Sequence, residues 1–343
     1  MPLLKWYDQN KRSLPWRDKN NGYYTWVSEI MLQQTRVEAV KPYFERFVTA
    51  LPDIEALSEC PEDQLLKLWE GLGYYSRVRN LQAAAKDMKQ RFQCQLPADY
   101  DDLLSLKGIG RYTAGAIASI AYGIPVPAVD GNVLRVISRI TESREDITKD
   151  AVKKAVETSL AEIIPKDRPG DFNQALMELG AVICVPNGPA KCSECPVSGF
   201  CLACKHGTQA DIPVKKQKKP RVKEERTVYV IQDGSRTLIR KRPSKGLLAG
   251  LYELPNSLGY KTSEEVLKDV EKMGFVPMHI QKLPEAKHIF SHIEWQMQAY
   301  RIRVADADAV RGENWFLVDR GESEESYAIP SAFAAYTKYM IKE

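Results

Sequence analysis

Leu106-Lys107-Gly108-Ile109-Gly110-Arg111-Tyr112-Thr113-Ala114 is the stretch on which the fold turns. Two glycines, two residues apart, interrupt a helical pattern, and a run of small residues starting near Thr113 and reaching toward Ile120 predicts a helix directly after them. Gly108 and Gly110 are free to adopt positive φ and leave backbone N–H groups uncovered. The following helix points its positive end the same way, so the turn can hold one anion. After that helix comes Gly123-Ile124-Pro125-Val126-Pro127-Ala128-Val129, a Gly/Pro loop, and then Asp130. The helical hairpin is placed at 103–120.

Upstream, the chain opens with a segment that can start a helix, followed by Leu14-Pro15-Trp16-Arg17, read as extended because Pro15 fixes its backbone. Residues 24–37 predict a helix, with Val27, Ile30, Met31, Gln34 and Val37 near one face. Glu29 lies inside it beside Trp26, Ile30 and Leu32; if buried, desolvation raises its pKa and makes it a proton donor near neutral pH. Gln33, Gln34 and Thr35 end the segment, and the long amides of the two glutamines suit a base stack. Residues 61–69 and 76–92 predict two helices, with Ser76 as an N-cap. Between them Gly71-Leu72-Gly73-Tyr74-Tyr75 is either a Gly-rich corner packed by aromatics or a loop with a ring to stack on a base. Downstream, Thr148 is expected to cap a helix to about 164 with Val152, Val156, Leu160 and Ile163 as its apolar stripe, and Asp171 with Gln174 a capping box for the next.

At 343 residues the chain is long enough for about two domains, each able to bury a core. Its net charge of +4 permits a polyanionic partner without demanding one. The sequence has no charged-then-apolar leader, and no uninterrupted apolar run reaches about 18 residues, so no membrane partner and a cytoplasmic, nucleoid-associated location are expected. Five of the seven cysteines crowd into Cys184-x7-Cys192-x2-Cys195-x5-Cys201-x2-Cys204, which argues for metal over disulfides. Thiolates at this spacing suit an iron–sulfur cluster or a zinc ribbon. His206 is an outside candidate ligand; Cys60 and Cys94 read as plain thiols.

Lys215, Lys216, Lys218, Lys219, Arg221 and Lys223, with Pro213 and Pro220, mark a basic linker over 211–225. Beyond it the pattern changes to strands. Residues 227–231 and 237–240 flank an Asp233-Gly234 hairpin signal. An amphipathic helix follows at 263–273. On the next strand Ile293, Trp295, Met297 and Ala299 share a face, and Tyr300, Ile302 and Val304 change phase, which predicts a bulge. A last strand at 315–318 and a last helix at 329–341 close the chain.

Taken in order, Leu14-Pro15-Trp16-Arg17, the run from Val27 to Thr35, Gly71-Leu72-Gly73-Tyr74-Tyr75, the glycine hairpin with Val129-Asp130-Gly131-Asn132, the cysteine loop and Phe290-Ser291-His292 resemble the MutY family, within the helix-hairpin-helix/Gly-Pro-Asp superfamily of DNA glycosylases related to endonuclease III. The resemblance covers nearly the whole chain. It implies a helical glycosylase domain (1–210) carrying an iron–sulfur loop (184–204), a basic linker (211–225) and a Nudix-like α/β recognition domain (226–343). The Nudix catalytic carboxylate set is missing from 263–275, so the second fold is expected without pyrophosphate hydrolysis.

The same resemblance assigns roles. Glu29 is the general acid and Asp130 the carboxylate facing the sugar, with Tyr112 and Asn132 orienting them; Arg17 and Leu32 line the base pocket. Gln34, Thr35, Leu72, Tyr74, Gly108 and Gly110 contact DNA, and Phe290, Ser291 and His292 read 8-oxoguanine. Cys184, Cys192, Cys195 and Cys201 hold a [4Fe–4S] cluster; the first spacing is one residue longer than usual, leaving Cys204 as an alternative to Cys201. Bifunctional relatives carry a lysine where Tyr112 stands, and a phenol cannot form an imine, so a monofunctional enzyme is implied. The implied partner is double-stranded DNA with adenine mispaired with 8-oxoguanine or guanine, bound by a monomer. Rival readings are a pyrimidine-specific glycosylase/lyase and a DNA-binding metalloprotein without chemistry.

Overall fold

The computed structural model describes all residues except 18–20, 217–219, 310–311, 313 and 341–343. The linker lysines 218 and 219 and residue 341 of the expected last helix therefore lie outside the described residues. The chain divides into two compact units, Met1–Cys60 with Ser76–Gln217, and Pro61–Tyr75 with Lys218–Glu343.

The first unit is helical: α1 (Pro2–Asn10), α2 (Gly22–Leu32), α3 (Val37–Ala50), α4 (Ile54–Glu59), α6 (Ser76–Arg91), α7 (Tyr100–Ser105), α8 (Arg111–Tyr122), α9 (Gly131–Ile140), α10 (Asp150–Ile163), α11 (Pro169–Val182) and α12 (Leu202–His206), with α5 (Glu62–Leu68) counted in the second unit. Helix α2 is buried nearly all round, from Tyr23 to Met31, and Asn21 caps it by accepting from the Tyr23 and Tyr24 amides. The helix expected over 24–37 stops at Leu32. One reason is Arg77 of α6, whose Nη1 donates to the Ile30, Met31 and Gln33 carbonyls at 2.9, 2.9 and 2.7 Å and so satisfies groups a longer helix would have bonded itself. The chain then turns through Gln34 at φ +61° and restarts as α3.

The hairpin forms as α7, a short turn and α8. Only one of its glycines needs its freedom. Gly108 has φ +83° and a Cβ there would lie 2.7 Å from Asn80 Cβ; Gly110 is extended (φ −96°, ψ 178°) and serves as the N-cap of α8, so the expected positive φ is confined to Gly108. Inside α8, a Cβ at Gly115 would sit 2.2 Å from the Pro127 carbonyl oxygen. The Gly/Pro loop thus lies directly on α8, and this close approach sets where Asp130 emerges as the N-cap of α9.

Several local expectations change. Leu14–Arg17 is a turn closed by the Arg17 amide on the Leu14 carbonyl at 2.9 Å, not an extended segment. Thr148 does not cap α10; its amide and hydroxyl both donate to Asp146, and Lys149 takes the N-cap position. Of the expected stripe only Leu160 is buried, and Ile163 is exposed. Helix α11 already begins at Pro169, so Asp171 lies inside its first turn and pairs with Arg168 instead of forming a capping box.

The second unit is built on one seven-stranded sheet in the order β3 (Tyr252–Glu253), β2 (Arg236–Lys241), β1 (Val222–Asp233), β6 (Ile293–Ala305), β5 (Val276–Ile289), with β4 (Asn256–Leu258) on β1 and β7 (Trp315–Val318) on β2. Strand β1 starts at Val222, inside the stretch read as linker, and carries Lys223. Strands β1 and β2 join through Gly234 (φ +57°), as the Asp-Gly signal predicts. The phase change on β6 needs no bulge, because its parallel register with β1 runs unbroken from Val222↔Ile293 to Gln232↔Arg303. Instead the two faces have different covers. Trp295, Met297 and Ala299 pack with Phe333 and Tyr336, whereas Tyr300, Ile302 and Val304 pack with Val266 and Val270 of α13 (Ser263–Lys272). The register shifts occur in β5. The last helix shortens to a 3-10 turn (Ser331–Phe333) and α15 (Ala334–Thr337), and α14 (Arg320–Ser326), capped by Asp319, was not foreseen. Helix α5, taken from the first half of the sequence, is fastened here. Lys67 Nζ donates to the Ser323 and Tyr327 carbonyls, Glu70 accepts the Ile329 amide at 2.7 Å, and Asp63 pairs with Lys241 at 2.6 Å.

Candidate active site

A cleft of about 2060 Å³ opens in the first unit, and Glu29, Tyr112, Asp130, Asn132, Arg17, Leu32, Gln34, Thr35 and Gly110 all line it. Four chain segments converge: α2 brings Glu29, α8 brings Tyr112, the start of α9 brings Asp130 and Asn132, and the turn after α1 brings Arg17. Gly108 is not among the lining residues. Leu72, Tyr74, Phe290, Ser291 and His292 belong to the second unit.

Glu29 is 7 % exposed, in the middle of an apolar helix. Burial pushes its carboxyl up to about 7, with the Asp130 carboxylate adding to the rise, while the Tyr112 hydroxyl and Arg17 oppose it. Tyr112 O–H donates to Glu29 Oε2 and also lies 3.9 Å from the Met177 sulfur. Burial, and then the neighbouring carboxyl of Glu29, raise the Tyr112 phenol well above its ordinary range, so it stays a donor. Asp130 keeps some exposed surface, yet protein atoms crowd its carboxylate, and this desolvation raises it as well. Four groups act against that rise: the Val133 amide on Oδ1 at 2.8 Å, Asn132 Nδ2 on Oδ2 at 2.7 Å, the Asn132 backbone amide, and the guanidinium of Arg135. The two carboxyls therefore both move upward. What separates them is how many donors oppose burial: the Tyr112 hydroxyl on Glu29, against the Val133 amide and the Asn132 side-chain amide on Asp130.

Several residues here carry no signal in the sequence. Glu178, 1 % exposed on α11, receives Arg12 and Arg17, the latter at 2.9 Å. Burial pushes Glu178 up, but the two guanidiniums win and hold it below the usual carboxylate range. Arg17 is thereby fixed along the cleft wall. Arg135 Nη2 donates to Asn132 Oδ1 at 2.9 Å and its Nε to the Cys184 carbonyl at 2.8 Å, which orients the Asn132 amide toward Asp130. Buried charges of this kind cost several kcal/mol each. Each fully buried neighbour such as Trp26, Met31, Val133 or Leu179 contributes roughly 1.5–3 kcal/mol, so the surrounding core can carry them.

The thiols of Cys184, Cys192, Cys195, Cys201 and Cys204 line one small pocket against α9 and α11. Burial pushes Cys195 up to about 11, and the thiols that add to the rise are Cys184, Cys201 and Cys192, the set expected as ligands. Arg139 Nη1 lies 3.2 Å from Cys184 Sγ and Cys201 Sγ lies 3.3 Å from the Arg139 carbonyl. His206 faces Glu142 at 2.6 Å. Among the described residues, no three His, Cys, Asp or Glu side chains converge on a single ion position.

In the second unit Phe290-Ser291-His292 forms the turn between β5 and β6, so His292 is in a turn and not on a strand. Ser291 and His292 are exposed, and Phe290 packs against Trp295 with ring centroids 4.9 Å apart. Leu72 is buried and Tyr74 is exposed. On α13, Glu265 is used in a capping box with Thr262, and Asp269 takes Lys261 and the Tyr229 hydroxyl.

The glycine hairpin, the loop lying on α8 and the two carboxyls in one cleft define a base-excision DNA glycosylase joined to a second α/β domain. Residues 27–162 match the HhH-GPD superfamily of base excision DNA repair proteins and residues 226–339 match the NUDIX domain. The chain belongs to the adenine DNA glycosylase family: it is 36% identical to the adenine DNA glycosylase of Mus musculus over 90% of this chain and 71% of that protein, and 35% identical to that of Homo sapiens over 97% and 73%. Among solved structures, a thermostable thymine-DNA glycosylase aligns over 60% of this chain and 94% of its own, with TM-score 0.54 and 26% identity. A trapped endonuclease III–DNA covalent intermediate aligns over 60% and 93%, with TM-score 0.52 and 25% identity.

Proposed function

We propose that this protein removes adenine mispaired with 8-oxoguanine, or with guanine, from duplex DNA as a monofunctional glycosylase. The observation that carries the reading is the pairing in one cleft of a desolvated Glu29, poised near pH 7, with an Asp130 held by donors that favour its charge. Flipping the adenine out of the stack costs roughly a few kcal/mol. Glu29 gives its proton to N7 of the flipped base, the N9–C1′ bond breaks with its electron pair leaving on adenine, and Asp130 faces the positive charge that develops at C1′. Water then adds to C1′ and its proton returns to Glu29. The scheme parallels glycoside hydrolysis by two carboxyls. Tyr112 supports it twice: its hydroxyl orients Glu29, and having no amine it offers no route to a Schiff base.

The ring of thiols fits a [4Fe–4S] cluster, each of whose irons takes one cysteine, so that the sulfurs surround a centre instead of meeting at one ion. The cluster would be held by Cys184, Cys192, Cys195 and Cys201 and would tie the 184–204 loop to α9 and α11, with Arg139 offsetting thiolate charge. In the second unit Glu265 and Asp269 of α13 are occupied by structural partners, which favours recognition over hydrolysis as that domain's role.

Single-turnover base release from duplexes with adenine opposite 8-oxoguanine, guanine or thymine tests the proposal. Release should be fastest opposite 8-oxoguanine, slower opposite guanine and slowest opposite thymine, with no strand nicks before alkali. Equal rates on all three, or spontaneous nicking, would overturn it. Purified protein should be coloured and carry stoichiometric iron; colourless, zinc-bearing protein would remove the cluster.

A further inference from the structure

Tyr112 has one hydroxyl proton and two acceptors within its reach: Glu29 Oε2, which takes it, and the Met177 sulfur at 3.9 Å. Met177 stands on α11, next to the Glu178 that anchors Arg17, and is half-buried on the cleft wall. Of the eight methionines it is the one that lines the cleft among the described residues, while Met31, Met88, Met297 and Met340 are buried. A thioether is a weak acceptor, so the carboxyl holds the phenol. Oxidation changes that balance, because it turns the apolar thioether into a polar sulfoxide. The sulfoxide oxygen, carried on a sulfur already 3.9 Å from the phenol oxygen, comes within hydrogen-bond distance of it. The base proposed to sit opposite the adenine, 8-oxoguanine, is itself an oxidised guanine, so the protein works where oxidants are present.

We propose that Met177 is an oxidation site whose sulfoxide draws the Tyr112 hydroxyl away from Glu29 and slows adenine release. This rests on the reading of Tyr112 as the group that orients Glu29. The oxidant is hydrogen peroxide. The Met177 sulfur gives a lone pair to one peroxide oxygen, and the S–O bond forms as the O–O bond breaks. The departing oxygen takes the proton of the transferred one and leaves as water. Sulfur is oxidised by two electrons and the peroxide is reduced by two. The new oxygen then competes with Glu29 Oε2 for a single proton donor. Glu29 loses the contact that directs its carboxyl at the flipped base. It also loses a donor that opposes the effect of burial, so its carboxyl rises further. The other groups around it are unchanged: Asp130 raises it, Arg17 lowers it and stays held by Glu178, and Arg77 of α6 holds carbonyls at the end of the same helix. Methionine sulfoxide reductases return the thioether, so the change is reversible.

The test treats the full-length protein with hydrogen peroxide, locates added oxygen by peptide mass spectrometry and reads single-turnover adenine release across pH. Oxygen should appear on Met177 and the rate should fall about tenfold, the scale of one lost hydrogen bond to an ionisable carboxyl. The alkaline limb should move to higher pH, a shift that damage at the cysteines would not produce. Methionine sulfoxide reductases should restore both. Met177→Leu, compared with its own untreated sample, should lose far less. Met177→Gln places a carbonyl acceptor on the same wall and should show the slower rate and the raised limb with no peroxide added. In a Tyr112→Phe background, Met177→Gln should have no further effect. Met177 left unoxidised, oxygen on Met177 with rate and limb unchanged, or an equal loss in Met177→Leu would overturn the inference. A Tyr112→Phe rate equal to the parent's would instead overturn the reading of Tyr112 on which it rests.

Discussion

Asp130→Asn is expected to lower the single-turnover rate of adenine release about a thousandfold, the scale of removing one preorganised electrostatic contact from a reacting centre, while the mispaired duplex is still bound. The substitution is nearly isosteric. Its side-chain oxygen can still accept the Val133 amide, so the cap of α9 survives. What disappears is the negative charge that faces C1′. Its environment is built for that charge, since the Val133 amide, the Asn132 amide and Arg135 all favour the ionised carboxylate against the cost of burial. Removing a crowded charge also lifts a desolvation penalty, so the variant should melt no lower than the parent. Single-turnover kinetics beside a gel-shift titration separates the two effects. A rate within tenfold of the parent would end the catalytic assignment of Asp130.

Glu29→Gln is expected to reduce the rate about 10²- to 10⁴-fold, the usual contribution of a positioned general acid, and its pH dependence gives a second signature. With the carboxyl raised to about 7, principally by burial, the parent should lose activity as pH rises through about 7 and the donor proton is lost. The acid limb belongs to Asp130, whose raised carboxyl must be ionised, so the parent profile is bell-shaped and the variant lacks the alkaline limb. Stability follows with a definite sign. Below the ordinary glutamate pKa both folded and unfolded chains hold the proton and nothing is lost. Between there and about 7 the unfolded chain ionises first and the folded state loses ground, reaching a penalty on the order of 3 kcal/mol at higher pH. The variant escapes this, so its melting temperature relative to the parent should rise between pH 5 and pH 8. A constant difference across that range would show that Glu29 is not desolvated.

How much of this was written in the chain depends on how local the physics is. The glycine hairpin, the Gly/Pro loop ending in Asp130, the crowded cysteines and the Asp-Gly turn of the second unit are short-range signals, because backbone freedom and ligand spacing act over a few residues. The hairpin, the loop and the turn formed where their residues stand, apart from the detail that Gly110 needs no positive φ, and the cysteines gather around one pocket. Glu29 was legible only as a conditional, since a glutamate in an apolar helix donates a proton near pH 7 only if something buries it. The end of α2 was misplaced for a related reason: the partner that stops it, Arg77, arrives from a helix more than forty residues away.

The sequence by itself determined which groups exist and the backbone turns that present them: two carboxyls, a phenol in place of an amine, five thiols, and a hydroxyl-bearing turn between two strands. Only the tertiary structure decided which of them share surroundings. It seated Glu29 and Asp130 on one cleft, recruited the otherwise silent Arg12, Arg135 and Glu178 to hold its walls, covered opposite faces of β6 with different helices, and delivered Tyr74 to Ser291 across 217 positions of sequence. The reason is physical. Desolvation and hydrogen-bond direction depend on atoms close in space, and residues close in space here are far apart along the chain.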